Sequence, residues 1–271
     1  MVMSATPIPR SLSLVLYGDL DISIVDELPP GRTPVATRIV SEEKRAGMYG
    51  FIRAQAAQGR QTYVVCPLVG EEGVEDAELR SASQVCEELR RELAPLSVGL
   101  VHGKMKKQEK EDVLSEFYDG SLDVLVATTV IEVGVNVPNA TVMVIEGAER
   151  FGLAQLHQLR GRVGRGSADS WCFLMGESNE RLRTLVSTND GFVVAQKDLE
   201  IRGPGEFFGA RQSGQMQMPA LMLSGDGRLL ARTREAFIAI MREETFKEER
   251  EALLKAARLR HAKSGNVFGR N

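Results

Sequence analysis

A chain of 271 residues can bury one α/β domain plus a smaller appendage, and 43% hydrophobic with 26% charged residues describes an ordinary soluble globular protein. The formal net charge of -3 speaks against a broadly basic nucleic-acid binder and against an acidic tail, so any basic site must be local. No apolar run reaches membrane-spanning length and no charged-then-apolar leader opens the sequence, which leads to the expectation of a cytoplasmic protein without a membrane partner.

In chain order, "PPGRTPVATRIV" (29–40) reads as a turn followed by an extended linker, and Ser41 is placed to cap a helix ending near Gly59. "TYVVCPLV" (62–69) is a short apolar run rich in β-branched residues, the mark of a buried parallel strand. After a polar, acidic loop, a helix is predicted around Leu79–Leu93, then a second strand at "SVGLVHG" and a helix at "QEKEDVLSEFYDG" closed by Gly120. "LDVLVATT", "ATVMVIEG" and "SWCFLMG" are the third, fourth and fifth strands. This alternation predicts an α/β fold, a parallel sheet covered by helices on both faces. Beyond Gly176 the strands stop, and helical patterns run to about His261. There Asn189 or Asp190 caps a helix that Gly203-Pro204 ends, with Phe192, Ala195 and Leu199 as its packing stripe.

"QLHQLRGRVGRG" (155–166) lies between the last two strands and carries two glycines inside a helical pattern, each costing about 1 kcal/mol relative to alanine. At 100° per residue Gln155, Gln158, Arg162 and Arg165 fall on one helix face, while Leu153, Leu156, Leu159 and Val163 line the other. Glycines beside arginines let a ligand or a backbone come close, and guanidinium donors suit phosphate. This points to a phosphate site rather than a solvated basic face. In "HGKMKKQEK" (102–110), His102, Gly103, Lys104, Lys106 and Lys107 stand where a strand's carboxyl end meets a helix start. Such a lysine run is either a solvated helix start or a contact to a phosphate backbone. The three cysteines (Cys66, Cys86, Cys172) form no CxxC pair and the three histidines offer no zinc-ligand spacing, so reduced buried thiols and no metal site are expected.

"QLRGRVGR" matches the QxxGRxGR signature, motif VI of superfamily two helicases. "ATTVIEVGVNVP" (127–138) resembles motif V, and "MSATPIPR" (3–10) resembles motif III. "LYGDLDISIVDELPPGR", "IEVGVNVPNATVMVIEGAERFGLAQLHQLRGRVGRG" and "DGFVVAQKDLEIRGPGEFFGARQSG" together resemble the RecG family of ATP-dependent branched-DNA helicases, from about Ser4 to Gly214. The Mfd-type transcription-repair coupling translocases share motifs V and VI and the helical hairpin, and stand as the alternative. A non-enzymatic module contacting DNA or protein is a further one.

The resemblance implies a RecA-like second motor domain over 37–176. It makes 1–36 a remnant of the first motor domain plus a linker, and 177–271 a translocation-motif hairpin with further helices. By match, Arg162 and Arg165 are arginine fingers for the γ-phosphoryl, Gln158 orients near the phosphates, and Gly134 and Asn136 contact the nucleotide's edge. Many superfamily members carry Asp at the position of Asn136; an asparagine can still accept a hydrogen bond there. Thr128 and Thr129 are placed either to meet DNA phosphates or to cap local structure, and the family's DNA-backbone region matches His102, Gly103 and Lys104. Ser4, Thr6, Arg181, Arg202 and Gln212 match positions that couple ATP-driven domain closure to movement on DNA.

No GxxxxGK[ST] P-loop is present; "GLVHGK" (99–104) is one residue short and Met105 follows it. "ISIVDE" (22–27) falls in the linker, and "GPGEFFG" (203–209) misses the dinucleotide pattern by one residue. The resemblance therefore implies that ATP and Mg2+ are held mainly by a first motor domain outside this sequence, with neither bound to this chain alone. It further implies branched duplex DNA (forks and Holliday junctions) and the absent motor and wedge domains as partners, in a bacterial cytoplasm.

Overall fold

A computed structural model describes residues 33–67, 75–128, 137–202 and 227–263. The strands are β1 (Ala36–Val40), β2 (Gln61–Val65), β3 (Val98–Val101), β4 (Val124–Ala127), β5 (Ala140–Ile145) and β6 (Trp171–Met175). Among the described residues they form one sheet in the order β1-β6-β5-β2-β4-β3, and every pairing is parallel. The interleaved helices are α1 (Arg45–Ala56), α2 (Glu75–Glu92), α3 (Lys107–Tyr118) and α4 (Leu153–Arg160), followed by α5 (Glu180–Ser187) and α6 (Gly191–Arg202).

Period-2 alternation along the central strands splits the core in two. Tyr63, Val65, Leu125, Met143, Ile145 and Leu174 face one side, where α3 and α4 bring Phe117, Leu153, Leu156 and Leu159. Val64, Val126, Val142, Val144 and Met175 face the other, against Met48 and Ile52 of α1 and Cys86 and Leu89 of α2. Burial on both faces is why these strands read as continuous apolar runs.

The segment read as an extended linker is in part a strand. Ala36–Val40 pairs with β6 from Ala36↔Trp171 to Val40↔Met175 and makes one edge of the sheet. One face of this strand is uncovered: exposed Ala36 and Arg38 alternate with half-buried Thr37 and Ile39, so the continuous apolar signal of the central strands is missing. Ser41 does not cap by its side chain: its carbonyl accepts from the Lys44 N–H at 3.0 Å in a 3-10 turn, and α1 runs only to Ala56.

The chain divides into two compact units. α5 and α6 belong with the sheet, burying Leu182, Leu185 and Val194 in the α3/α4 side of its core. On α6 the expected stripe of Phe192, Ala195 and Leu199 is only half-buried; the residues most withdrawn from solvent are Val194 and Asp198, one turn apart. The second unit contains α7 (Gly227–Arg242) and α8 (Lys247–Lys263), where Arg250 Nη1 donates to the Met241 carbonyl at 3.2 Å.

Candidate functional site

α4 is short because its sequence changes character after Arg160. Leu153, Leu156 and Leu159 anchor it in the core, and Gly161 is its C-cap. Arg162 N–H then bonds the Leu159 carbonyl at 3.0 Å and Val163 N–H the Arg160 carbonyl at 3.3 Å, a tightened last turn that satisfies orphan carbonyls. Gly164 follows at φ 73°, a left-handed conformation beyond the helix end that glycine adopts readily. Arg162 and Arg165 therefore lie past the helix end, although Arg162 still meets Gln155 and Gln158. They stand on a loop, and the glycines that look costly inside a helix lie at and beyond its end.

Val163 is fully buried and pins this arginine loop to the core. Gln155, Gln158, Leu159 and Arg162 line a shallow notch, with Arg162 half-buried. Arg165 is exposed, and its Nε donates to the Gly161 carbonyl at 3.1 Å. Beneath them lies Tyr63 of β2, 2% exposed and packed on Phe117. Burial pushes its phenol up to about 12, while the Arg165 and Arg162 guanidiniums pull it down. Tyr63 thus lies within the field of both arginines, a neighbour that the alternating pattern of β2 marks only as core.

The third arginine of the motif behaves differently. Arg160 is 3% exposed; its Nη1 donates to the carbonyls of Leu185 (2.6 Å) and Thr188 (2.8 Å), at the end of α5, and its Nη2 meets His157 Nδ1 at 2.9 Å. That last contact is a hydrogen bond with Nδ1 as acceptor. Desolvation lowers its pKa, yet a guanidinium stays charged, and the carbonyl-rich helix terminus is suited to a cation. The signal was readable: Arg160 lies four residues after Leu156 and seven after Leu153, on the apolar stripe.

Arg181 is half-buried on α5, donating to the carbonyls of Glu149 (2.9 Å) and Phe151 (3.1 Å) in the turn that leads into α4. Asn179 caps α5 by accepting from Leu182 N–H at 2.9 Å. Of the two candidates for the next cap, Asp190 takes the role, accepting from Phe192 N–H at 2.7 Å. Arg202 is the last residue of α6. The side chain of Arg202, and Ser4, Thr6, Thr129, Gly134, Asn136 and Gln212, lie outside the described residues.

A second group gathers at the carboxyl end of the sheet. β3 and β4 pair up to Val101↔Ala127, so His102 and Thr128 follow side by side. Thr128 is 3% exposed and its N–H bonds the Val101 carbonyl at 3.3 Å. His102 is half-buried, with Nδ1 enclosed and unpartnered. Burial, and then Lys110, hold its pKa below the usual histidine value. Lys110 Nζ donates to the Gly103 carbonyl at 2.7 Å, while Gly103 and Lys104 are exposed. The arginine loop lies instead beside Val35 and Pro138, just ahead of β1 and β5, at the amino ends of those strands. The two candidate groups are thus brought to opposite ends of one sheet.

Sequence reading missed the ion pair that closes the carboxyl end of β5. Arg45 of α1 grips Glu146 with Nη1–Oε1 at 2.7 Å and Nη2–Oε2 at 2.9 Å, and its hydrogen bond to Glu146 raises its pKa. Residues 101 positions apart carry no local signal of such contact. Cys66, Cys86 and Cys172 are free and buried, and burial pushes all three thiols up.

Residues 43–167 match the family described as Helicase conserved C-terminal domain, and residues 188–268 match ATP-dependent DNA helicase RecG, domain 3, C-terminal. Over 237 residues the chain is 52% identical to the ATP-dependent DNA helicase RecG of Haemophilus influenzae, covering 85% of this chain and 34% of that protein. The RecG of Escherichia coli K12 is 51% identical over the same span and shares. Among solved structures, one described as RecG bound to a three-way DNA junction superposes with a TM-score of 0.66 at 46% identity, covering 84% of this chain and 30% of that one. The chain spans about a third of the length of the curated relatives it matches. Two matched segments, half-identical relatives and the superposition of the parallel sheet bear out the RecA-like α/β fold, and this chain belongs to the RecG family of DNA helicases.

Proposed function

We propose that this chain is the second motor domain and translocation module of an ATP-dependent translocase that remodels branched duplex DNA by reversing forks and migrating Holliday junctions. The observation that carries the proposal is the arginine loop: a half-buried Arg162 in a notch with Gln155 and Gln158, held by a buried valine. In this reading residues 37–176 are the motor domain, 1–36 belong to the first motor domain and its linker, and 177–271 are the hairpin and further helices. The match of 188–268 to a RecG-specific segment favours it over a Mfd-type translocase.

The donor set fits a triphosphate, because planar guanidiniums and side-chain amides bind phosphate oxygens. Arg162 and Arg165 would stabilise charge on the transferring phosphoryl, Gln158 would orient beside it, and Gly134 and Asn136 would meet the nucleotide's edge. Among the described residues no three His, Cys, Asp or Glu stand together to hold a metal. ATP and magnesium are assigned chiefly to the first motor domain, which would supply the phosphate cradle. His102, Gly103 and Lys104 would touch the DNA backbone from the opposite end of the sheet, contacts that position without reading sequence; Thr129 would join them, and buried Thr128 would hold the strand end behind them. Arg181, Arg202 and Gln212, with Ser4 and Thr6, would couple closure to movement. Among the described residues no helix is long and apolar enough to cross a membrane, and a bacterial cytoplasmic location completes the reading.

Two assays test it together. A full-length family member carrying these residues is expected to unwind a three-strand fork only with ATP and magnesium, whereas this chain by itself is expected to release no phosphate from ATP, with or without DNA. Fork unwinding without nucleotide, or steady DNA-stimulated hydrolysis by the chain alone, contradicts the assignment.

A further inference from the structure

The arginine loop has walls as well as an anchor. A Cβ on Gly164 would stand 2.9 Å from Val35 Cγ2 and 3.5 Å from the Thr33 carbonyl oxygen. A Cβ on Gly166 would stand 2.8 Å from the carbonyl oxygen of Pro138. The 2.9 and 2.8 Å separations lie below ordinary contact, so the loop lies against two neighbouring segments with no room for a side chain. Gly164 also needs glycine for its left-handed backbone. Gly166 does not have a positive φ, so its missing side chain serves the contact alone. The wall it meets is backbone and cannot rotate away.

Each wall has its own origin. Val35, 7% exposed, lies on the chain that leads into β1, and the Ala36 N–H bonds the Ser170 carbonyl at 2.9 Å, where β6 begins beyond the loop. Pro138 precedes β5 and ends the stretch resembling motif V. Just before the walls Val163 is buried in the core, while Arg162 is half-buried and Arg165 exposed.

We infer that Thr33–Val35 and the Pro138 carbonyl are a seat for Gly164 and Gly166, and that this seat sets the position of Arg162 and Arg165 against the phosphoryl group. The inference rests on the reading of these arginines as charge stabilisers. Val35, Gly164 and Gly166 are positioning residues: they touch no substrate but decide where the guanidiniums stand. The chain leading into β1 then acts on the arginines directly, because displacing it moves the wall against which Gly164 rests. A Cβ on Gly166 shifts the loop by a fraction of an ångström, enough to spoil an alignment that must be held closely for catalysis.

The test is steady-state ATP hydrolysis with saturating DNA, in a full-length family member carrying these residues. The variants are Gly166→Ala, Gly164→Ala, Gly164→Ala/Val35→Ala and Arg162→Ala, each with a thermal melt. Gly166→Ala and Gly164→Ala are expected to lower kcat by about tenfold or more while leaving the KM for ATP within about threefold. Removing the Val35 methyl groups gives the new Cβ room, while alanine stays strained in the left-handed backbone at 164. The double variant should therefore regain part of the kcat lost by Gly164→Ala, about threefold or more, although it melts below that single variant. Recovery of rate without recovery of stability is what a merely structural glycine cannot produce. If Arg162→Ala abolishes hydrolysis while both glycine variants keep the wild-type kcat, or if Val35→Ala fails to rescue Gly164→Ala, the seat is wrong. If Arg162→Ala hydrolyses ATP normally, the arginine reading itself is wrong, and the seat has nothing to position. Should Gly166→Ala fail to fold, the Gly164 and Val35 pair decides alone.

Discussion

Arg162→Ala, in a full-length family member, is expected to lower kcat for ATP hydrolysis by about 10³-fold or more, the scale for a finger arginine in phosphoryl transfer. In free energy that is about 4 kcal/mol of lost transition-state stabilisation. The nucleotide KM should stay nearly unchanged, because the charge that Arg162 meets develops during transfer and binding is assigned chiefly to the other motor domain. Arg162 is a better candidate than Arg165 on geometry. It is half-buried beside Gln158, where its charge is less screened, whereas Arg165 is exposed with its Nε on the Gly161 carbonyl. Arg162→Lys should recover little, since an ammonium lacks the planar fork. Single-turnover hydrolysis with a melting curve for each variant is the measurement; a loss smaller than tenfold in Arg162→Ala removes the residue from the transition state.

Arg160→Met should lower stability rather than chemistry. Arg160 is 3% exposed, and its donors satisfy the Leu185 and Thr188 carbonyls. Methionine fills similar volume but leaves buried acceptors unpaired, which costs about 3 kcal/mol. For a unit of this size that corresponds to a melting temperature lower by roughly 10 °C. Arg183→Met, at an exposed arginine of α5 bonded only through Nε to Ser178 Oγ at 3.1 Å, should change stability by about 0.5 kcal/mol at most. Calorimetry on this chain checks both, and an Arg160→Met variant that melts with the wild type means the two carbonyl contacts contribute nothing to holding α5.

The contrast among Arg160, Arg162 and Arg165 shows what a local pattern carries. Spacing at 3.6 residues per turn identified Leu153, Leu156, Leu159 and Val163 as core, and all four are buried. The same spacing, extended past Arg160, put Arg162 and Arg165 on a helix that ends before them. Periodicity says which residues share a face while the helix lasts; the helix ends at Gly161, and the loop beyond it lies with Gly164 against Val35, 129 positions away in the chain.

What the sequence determined by itself is the set of elements whose signal is local and strong. Five apolar runs became five buried parallel strands, because residues covered on both faces must be apolar throughout. The ordered motifs pointed to the family. Tertiary structure alone decided what depends on distant residues meeting. It made Ala36–Val40 an edge strand, since β6 supplies the partner that a half-exposed segment cannot advertise. It joined Arg45 to Glu146, gave buried Arg160 its carbonyl partners at the end of α5 and put Asp198 where Leu199 was expected. It also carried the arginine loop and the His102–Thr128 pair to opposite ends of the sheet, because α4 returns along the strands before its loop begins. Hydrophobic pattern is written residue by residue, whereas hydrogen bonds and ion pairs need two partners, and only the folded chain brings those together.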